Sequence, residues 1–210
     1  MAQPTRVYLD TGKTWTFACA VDWPGWCRRA KGPEAALLTL LAYQERYSIV
    51  AGPGFEPGEP EMIGEVRGDA LADFGAPGGR GAWDDEGFSV ADADRWAAVV
   101  AACWHRFDEV AADAPAELRR GPRGGGRQRD AIVDHVREAE RTYGRKFGVR
   151  LPPRTPWSEQ RTQFLAALRA GGQADGGRSL AAGASWPLRY AFRRIAWHVL
   201  DHAWEIEDRA

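Results

Sequence analysis

The C-terminal stretch RIAWHVLDHAWEIEDRA (residues 194–210) decides how the second half of the chain folds. Its apolar residues recur at helical spacing, so it predicts a helix with one buried face. His198 and His202 stand four residues apart and therefore share one face of that helix. Such a pair is either two polar residues at the edge of a core or two ligands of one metal ion.

A third ligand for such an ion has to come from another helix. His135 lies in DAIVDHVREAE (130–140) beside Ile132, Val133 and Val136, a pattern that predicts the half-buried side of a helix. Three neutral imidazoles leave one coordination position of a divalent ion open, which is typical of catalytic metal sites. The sequence therefore indicates a candidate metal site on two helices, with ordinary packing as the alternative.

Four helices are predicted in the second half of the chain, and each is bounded by a proline or a glycine. They span residues 90–114, 129–148, 157–170 and 187–209. A glycine- and arginine-rich loop (117–130) precedes the second helix, and a polar loop (172–186) precedes the fourth. Four helices of this length predict a four-helix bundle.

The first half of the chain predicts a small α+β unit. Runs of β-type residues indicate strands at 6–10, 14–22 and 62–68, and a turn-rich stretch at 23–32 has room for another short strand. A helix opened by proline is predicted over 33–50. The residues expected to form its buried face are Leu37, Leu38, Leu41 and Ile49.

Residues 69–90 contain the glycine-rich run FGAPGGRGAWDDEG and are predicted to be a linker. The expected fold class is therefore an α+β chain in two parts. A small α+β domain with the linker spans 1–86, and an all-α four-helix bundle spans 87–210.

The composition argues against several classes of partner. A net charge of −1 gives no general positive field for nucleic acid, and no apolar run approaches the about 20 residues of a membrane span. The N-terminal residues lack the apolar core of a secretory signal, so a cytoplasmic protein is expected.

The three cysteines include no CxxC pair and predict no disulfide framework. The expected partner is a small molecule, with no nucleic acid and no membrane.

The histidine-bearing segments resemble the DinB-like superfamily, whose members are four-helix bundles. DHVREAERTY in the second predicted helix and HVLDH in the last carry that family's pattern of one histidine followed by HxxxH. The resemblance implies that His135, His198 and His202 bind a divalent metal, with zinc, nickel and iron(II) about equally suited by ligand type. It also makes a homodimer one expected assembly.

Two carboxylates on the last helix are candidates for proton transfer at this site. Asp201 and Glu205 each follow one of the two histidines by three residues. Either carboxylate is expected to fix the tautomer of a ring or to carry a proton. Exposure to solvent at the end of the chain is the alternative.

Three further residues are candidates for binding a small anionic substrate. Arg194 stands one turn before His198, and Tyr143 is close to the face that carries His135. Arg127 belongs to a run of five arginines that leads into the second helix and could act as an anion clamp. The alternatives are core packing for Tyr143 and a solvated surface for the arginines.

The first part of the chain resembles a second family. A predicted β-hairpin followed by PGWCRRAKGPEAALLTLL (24–41) is similar to the HicB-like half-domain of antitoxins, where the corresponding segment turns from strand into helix. This resemblance implies a binding scaffold.

Two functions of different classes follow from these resemblances. The first is a metal-dependent enzyme of the DinB-like type: a thiol-dependent S-transferase with a mycothiol-like thiol as co-substrate, or a related isomerase or hydrolase. The second is a non-enzymatic module, such as a metal or small-molecule sensor or an antitoxin-like partner. Loss of turnover without loss of partner binding on mutation of His135 would distinguish them.

Overall fold

The computed structural model describes residues 3–68, 70–87, 89–121, 126–173 and 184–210. The chain is mixed α+β, with a four-stranded sheet in its N-terminal part and a mostly helical C-terminal part. It divides into two compact units, Met1–Glu86 and Gly87–Ala210. Among the described residues, no helix is both long and apolar enough to cross a bilayer.

The sheet of the first unit has the strand order β3-β2-β1-β4. Its strands are β1 (Thr5–Thr11), β2 (Thr16–Ala20), β3 (Cys27–Ala30) and β4 (Pro60–Arg67). The β1–β2 and β2–β3 pairs are antiparallel, whereas β4 pairs parallel with β1. All the strands predicted from β-type residues are present, because these runs can pack on a pleated surface.

The helix predicted over 33–50 is two helices, so that prediction is wrong. The first is α1 (Pro33–Ala42), the second is α2 (Gln44–Ala51), and Tyr43 separates them with φ −92° and ψ 4°. The amide of Tyr43 donates to Leu40 O at 3.1 Å and closes α1 with a tight turn.

The buried face of these helices also differs from the expected one. Leu38 and Ile49 are 60% and 64% exposed, whereas Leu40 and Tyr47 are fully buried. Aromatic packing selects this face, because the Trp26 indole donates to Leu40 O at 2.9 Å and stacks on the Tyr47 ring at 5.6 Å. A large buried ring contributes more apolar area than an aliphatic side chain at the same position, so it overrides the leucine pattern.

Most of the predicted linker packs within the first unit. It contains α3 (Ala70–Phe74) and a short 3₁₀ turn (Ala82–Asp84). The Asp73 carboxylate accepts from the amides of Lys13 and Thr14 in the β1–β2 turn, at 3.0 and 2.7 Å. The Trp83 ring lies 4.6 Å from the ring of Tyr8 on β1. Positions 69 and 88 lie outside the described residues.

In the described part of the second unit, four long helices lie close to the predicted positions. They are α4 (Val90–Asp113), α5 (Arg129–Lys146), α6 (Trp157–Gln173) and α7 (Leu188–Arg209). Ser89 begins α4 as a capping box, because its hydroxyl accepts from the Asp92 amide at 3.1 Å. Helix α6 continues through Gly171 to Gln173, beyond the predicted end, and the loop predicted at 172–186 lies mostly outside the described residues.

Helix α7 is the most deeply buried of the four. Residues 188–200 are all buried, and α4, α5 and α6 all contact this helix. Apolar residues on every side of α7 therefore find partners, which explains why the segment is rich in tryptophan. The HxxxH pair begins within this buried run, at His198, and ends at the half-buried His202.

A buried carboxylate joins α5 to α6. Glu140 is 1% exposed and accepts a hydrogen bond from the Trp157 indole. The Arg161 guanidinium lies 3.9 Å from the centre of the Trp157 ring, and its Nε is 3.5 Å from the Glu140 carboxylate. Burial is the largest influence on Glu140 and raises the pKa of its carboxyl group above 4.5. Arg161 and Trp157 oppose this rise without cancelling it.

The raised pKa of Glu140 predicts a specific dependence of stability on pH. Above about pH 4.5 the unfolded chain loses this proton first, so the contribution of Glu140 to the free energy of unfolding should fall as pH rises toward the folded-state pKa. Glu140→Gln removes the ionisation, and its stability relative to wild type should therefore increase with pH. Urea unfolding between pH 4 and 8 measures the difference.

Glu138→Gln is the matched control, because Glu138 is exposed two residues earlier on α5. Its stability should follow that of the wild type in parallel at every pH. If the stability of Glu140→Gln also ran parallel to that of the wild type at every pH, the account would be contradicted.

Candidate metal centre

Three imidazoles from two helices meet in the second unit. His135 lies on α5 between the fully buried Ile132 and Val136, which direct this side of the helix inward. His198 and His202 lie on α7, and the Nε2 atoms of His135 and His198 are 3.2 Å apart. One ligand nitrogen from each of the three histidines lies within 4.8 Å of the other two. The three histidines are therefore close enough together to bind one metal ion.

The rings form a nearly regular triangle. The ring centre of His135 is 5.1 Å from that of His198 and 5.0 Å from that of His202, and the last two are 4.8 Å apart. His198 is only 6% exposed, whereas His135 and His202 are half-buried. The cluster is therefore closed on the side of His198 and accessible from the side of the other two rings.

The spacing of the nitrogen atoms fits a divalent cation. Two imidazole nitrogens that bind zinc tetrahedrally at about 2.0–2.1 Å are roughly 3.3 Å apart, close to the 3.2 Å between His135 and His198. His198 Nδ1 is buried and has no hydrogen-bond partner among the described residues, so Nε2 is the atom through which this ring can interact.

The electrostatic environment keeps two of the imidazoles neutral. Burial is the largest cause that lowers the pKa of His198 well below 6.5, and the nearby His202 and Arg194 lower it further. Burial also lowers the pKa of His135, followed by the effects of His202 and Arg127. Neutral imidazole is the form that binds a metal, so the fold favours this form near pH 7.

A carboxylate orients the third imidazole. His202 Nδ1 lies 2.9 Å from Glu205 Oε2, and the other carboxylate oxygen accepts from Arg209 at 2.7 Å. The hydrogen bond to His202 is the largest cause that lowers the pKa of Glu205. Because Nδ1 is engaged by this carboxylate, Nε2 is the nitrogen of the His202 ring that is left for another ligand.

Arg209 was not predicted as part of the site, although its spacing of four residues from Glu205 is that of a helical ion pair. Its Nε also donates to Arg119 O at 2.8 Å, and the Arg119 amide donates back to Arg209 O at 2.8 Å. Gly126 (φ 123°) lies against this guanidinium, where a Cβ would come within 2.6 Å of it. The end of α7 is thus held by the loop that leads into α5.

Two predicted substrate contacts lie beside His198. The Tyr143 ring is 5.5 Å from the His198 ring in an edge-on arrangement. Arg194 is 7% exposed, so the solvated alternative is wrong for this residue. Its guanidinium lies 5.5 Å from the Tyr143 ring centre and 4.7 Å from that of Trp197. A cation held between aromatic rings next to the imidazoles is a suitable contact for an anion.

The remaining candidates have different surroundings. Arg127 is exposed, yet its charge is close enough to lower the pKa of both His135 and His198. Asp201 is half-buried on α7, one residue before His202. Of the other arginines in the 119–130 run, position 123 lies outside the described residues.

The fourth histidine is on another part of the surface. His105 on α4 has a side chain that is 77% exposed and lies 3.2 Å from the Glu109 carboxylate. It is not a member of the three-histidine cluster.

No protein-family model matches this chain, and no curated protein or solved structure has significant similarity to it. The candidate metal centre therefore depends on the residues and geometry of this chain itself.

The contact between Glu205 and His202 predicts a loss of metal affinity on mutation. Glu205→Gln keeps the shape of the side chain but removes the charge that holds the ring, so affinity for zinc should fall about 10- to 100-fold. Competition titration against a chromophoric chelator measures this change. Glu207→Gln is the matched control on the same helix, since it removes a carboxylate that pairs with Arg106. Equal affinities for the two variants would show that Glu205 does not support the site.

Proposed function

We propose that α4–α7 form a four-helix bundle of the DinB-like type in which His135, His198 and His202 bind one divalent metal ion. The observation that carries this proposal is the meeting of three imidazoles from α5 and α7, across 63 residues of sequence between His135 and His198. The packing of α7 against each of the other three long helices supports the bundle.

The donor set favours a borderline transition metal. Three imidazoles, with no carboxylate or thiolate in the cluster found among the described residues, suit zinc, nickel or iron(II). A hard ion such as magnesium or calcium would prefer oxygen ligands. The half-buried sides of His135 and His202 leave room for a further ligand from solution.

We propose that the protein is a metal-dependent enzyme. A divalent ion held by three imidazoles lowers the pKa of a bound water or thiol toward neutrality. The activity that the resemblance to the DinB-like superfamily suggests is transfer to or from a low-molecular-weight thiol of the mycothiol type, with isomerisation or hydrolysis as related reactions. Glu205, bonded to His202, would orient that ring and is a candidate proton acceptor.

The positive charges beside the cluster support a small anionic substrate. Arg194 is buried next to His198 and is flanked by the rings of Tyr143 and Trp197. Arg127 adds a second positive charge from the exposed side. A substrate carboxylate bound by Arg194 would place the adjacent carbon near the imidazole cluster.

Metal analysis of purified protein tests the site. Untagged wild type should contain about one equivalent of a divalent metal, which His135→Ala and His202→Ala should lose because two imidazoles bind weakly. His105→Ala is the matched control and should keep the metal, because that ring is exposed on α4. Wild type that stays empty after reconstitution with zinc, nickel or iron(II) would contradict the proposal.

Turnover by the metal-loaded protein tests the activity. A low-molecular-weight thiol and an alkylating electrophile that carries a carboxylate should be consumed together, and a chelator should stop the reaction. Arg194→Gln should raise KM more than it lowers kcat, because Arg194 binds the unreactive anionic end in both ground and transition states. If metal is bound but no such pair reacts, a binding or sensing module replaces the enzyme.

A further inference from the structure

Two cysteines of the first unit lie side by side on adjacent strands of the sheet. Cys19 on β2 and Cys27 on β3 are direct partners in the antiparallel register. Their Sγ atoms are 2.7 Å apart, and both residues are buried, with exposures of 3% and 5%. The sequence did not suggest this pair, because its members are eight residues apart and belong to no CxxC motif.

The position in the ladder suits a covalent bond between the two sulfurs. The Ala20 amide donates to Trp26 O at 2.9 Å, which places Ala20 and Trp26 at a hydrogen-bonded position of the ladder, although the Trp26 amide donates to Trp23 O. The neighbouring pair, Cys19 and Cys27, is therefore a non-hydrogen-bonded pair, whose Cα atoms are typically about 4.5 Å apart. Disulfides span Cα distances of about 4.4–6.8 Å, so the bond can form within the existing strand pairing.

The segment between the cysteines is held in place by hydrogen bonds with the two helices that follow the hairpin. The Tyr47 hydroxyl donates to Pro24 O at 2.8 Å, and the Trp26 indole donates to Leu40 O at 2.9 Å. Both rings are buried. These contacts hold the turn and the start of β3 against α1 and α2, so the sulfurs stay together without a covalent bond.

We propose that Cys19 and Cys27 are an oxidisable dithiol that hydrogen peroxide converts to a cross-strand disulfide. One thiol gives up its proton and its sulfur attacks a peroxide oxygen; an S–O bond forms, the O–O bond breaks, and water leaves. The second sulfur then displaces the hydroxyl group as water and the S–S bond forms. Two thiols lose two protons and two electrons, and the peroxide is reduced to two waters. This inference is independent of the metal centre.

Burial determines how the pair reacts. Desolvation is the largest cause that raises the pKa of the Cys27 thiol, and the hydrogen bond with Cys19 raises it further. Because the thiolate is the attacking species, oxidation of the folded protein should be slow, and small peroxides should react before bulky reagents. The product would join the edge strand β3 covalently to β2, so the oxidised protein should unfold at a higher temperature than the reduced one.

Thiol counting tests the proposal in a way that does not depend on access to the buried pair. The full chain is unfolded, refolded in a glutathione redox buffer, treated with hydrogen peroxide, and alkylated under denaturing conditions. Wild type should take up one alkyl group instead of three, with an intact mass about 2 Da lower before alkylation and a peptide that links Cys19 to Cys27. Cys103→Ser is the control and should form the same linked peptide, because Cys103 lies on α4 in the second unit.

Two outcomes would overturn the proposal. One is three alkylated cysteines in refolded wild type after peroxide treatment. The other is glutathione, sulfinic acid or a Cys103 crosslink in place of the bond between Cys19 and Cys27. Cys19→Ser should leave Cys27 as an unlinked thiol, and circular dichroism checks that this variant is folded. The result for wild type decides the question even if that variant does not fold.

Discussion

The contact between the imidazoles of His135 and His198 constrains how α5 and α7 pack. At 3.2 Å the two Nε2 atoms can share one hydrogen bond, in which one ring donates and the other accepts; when neither carries a proton there, their lone pairs face each other. A cation between them satisfies both lone pairs at once. The arrangement is therefore well suited to binding metal, and the low pKa of both histidines reduces competition from protons.

The two helices that carry the ligands are also connected outside the site. Glu205 bonds His202 and Arg209, and Arg209 exchanges backbone and side-chain hydrogen bonds with Arg119 in the loop before α5. The orientation of the last imidazole thus depends on a chain of charged groups that ends near the start of the helix bearing His135. Such a chain gives the candidate ligands a fixed direction, which would lower the entropy lost if an ion binds.

Helix positions in the second unit followed closely from sequence, because proline, glycine and acidic residues mark helix ends locally. The convergence of three histidines was also expected, since HxxxH fixes two of them on one face. Long-range packing could not be predicted in the same way. Tyr47 and Trp26 select the buried face of α1 and α2, and no local pattern reveals that a ring 21 residues away will stack on it. The burial of Glu140 could not be predicted from a local pattern either, because it depends on Trp157 from α6.

The most direct test of the metal centre is X-ray absorption at the zinc edge of the zinc-loaded protein. The account predicts three imidazole nitrogens at about 2.0–2.1 Å, with one oxygen ligand from solvent. His135→Ala should lose one imidazole from this shell, whereas His105→Ala should leave it unchanged. A shell dominated by sulfur at about 2.3 Å, or one made of oxygen atoms without imidazole scattering, would contradict the account.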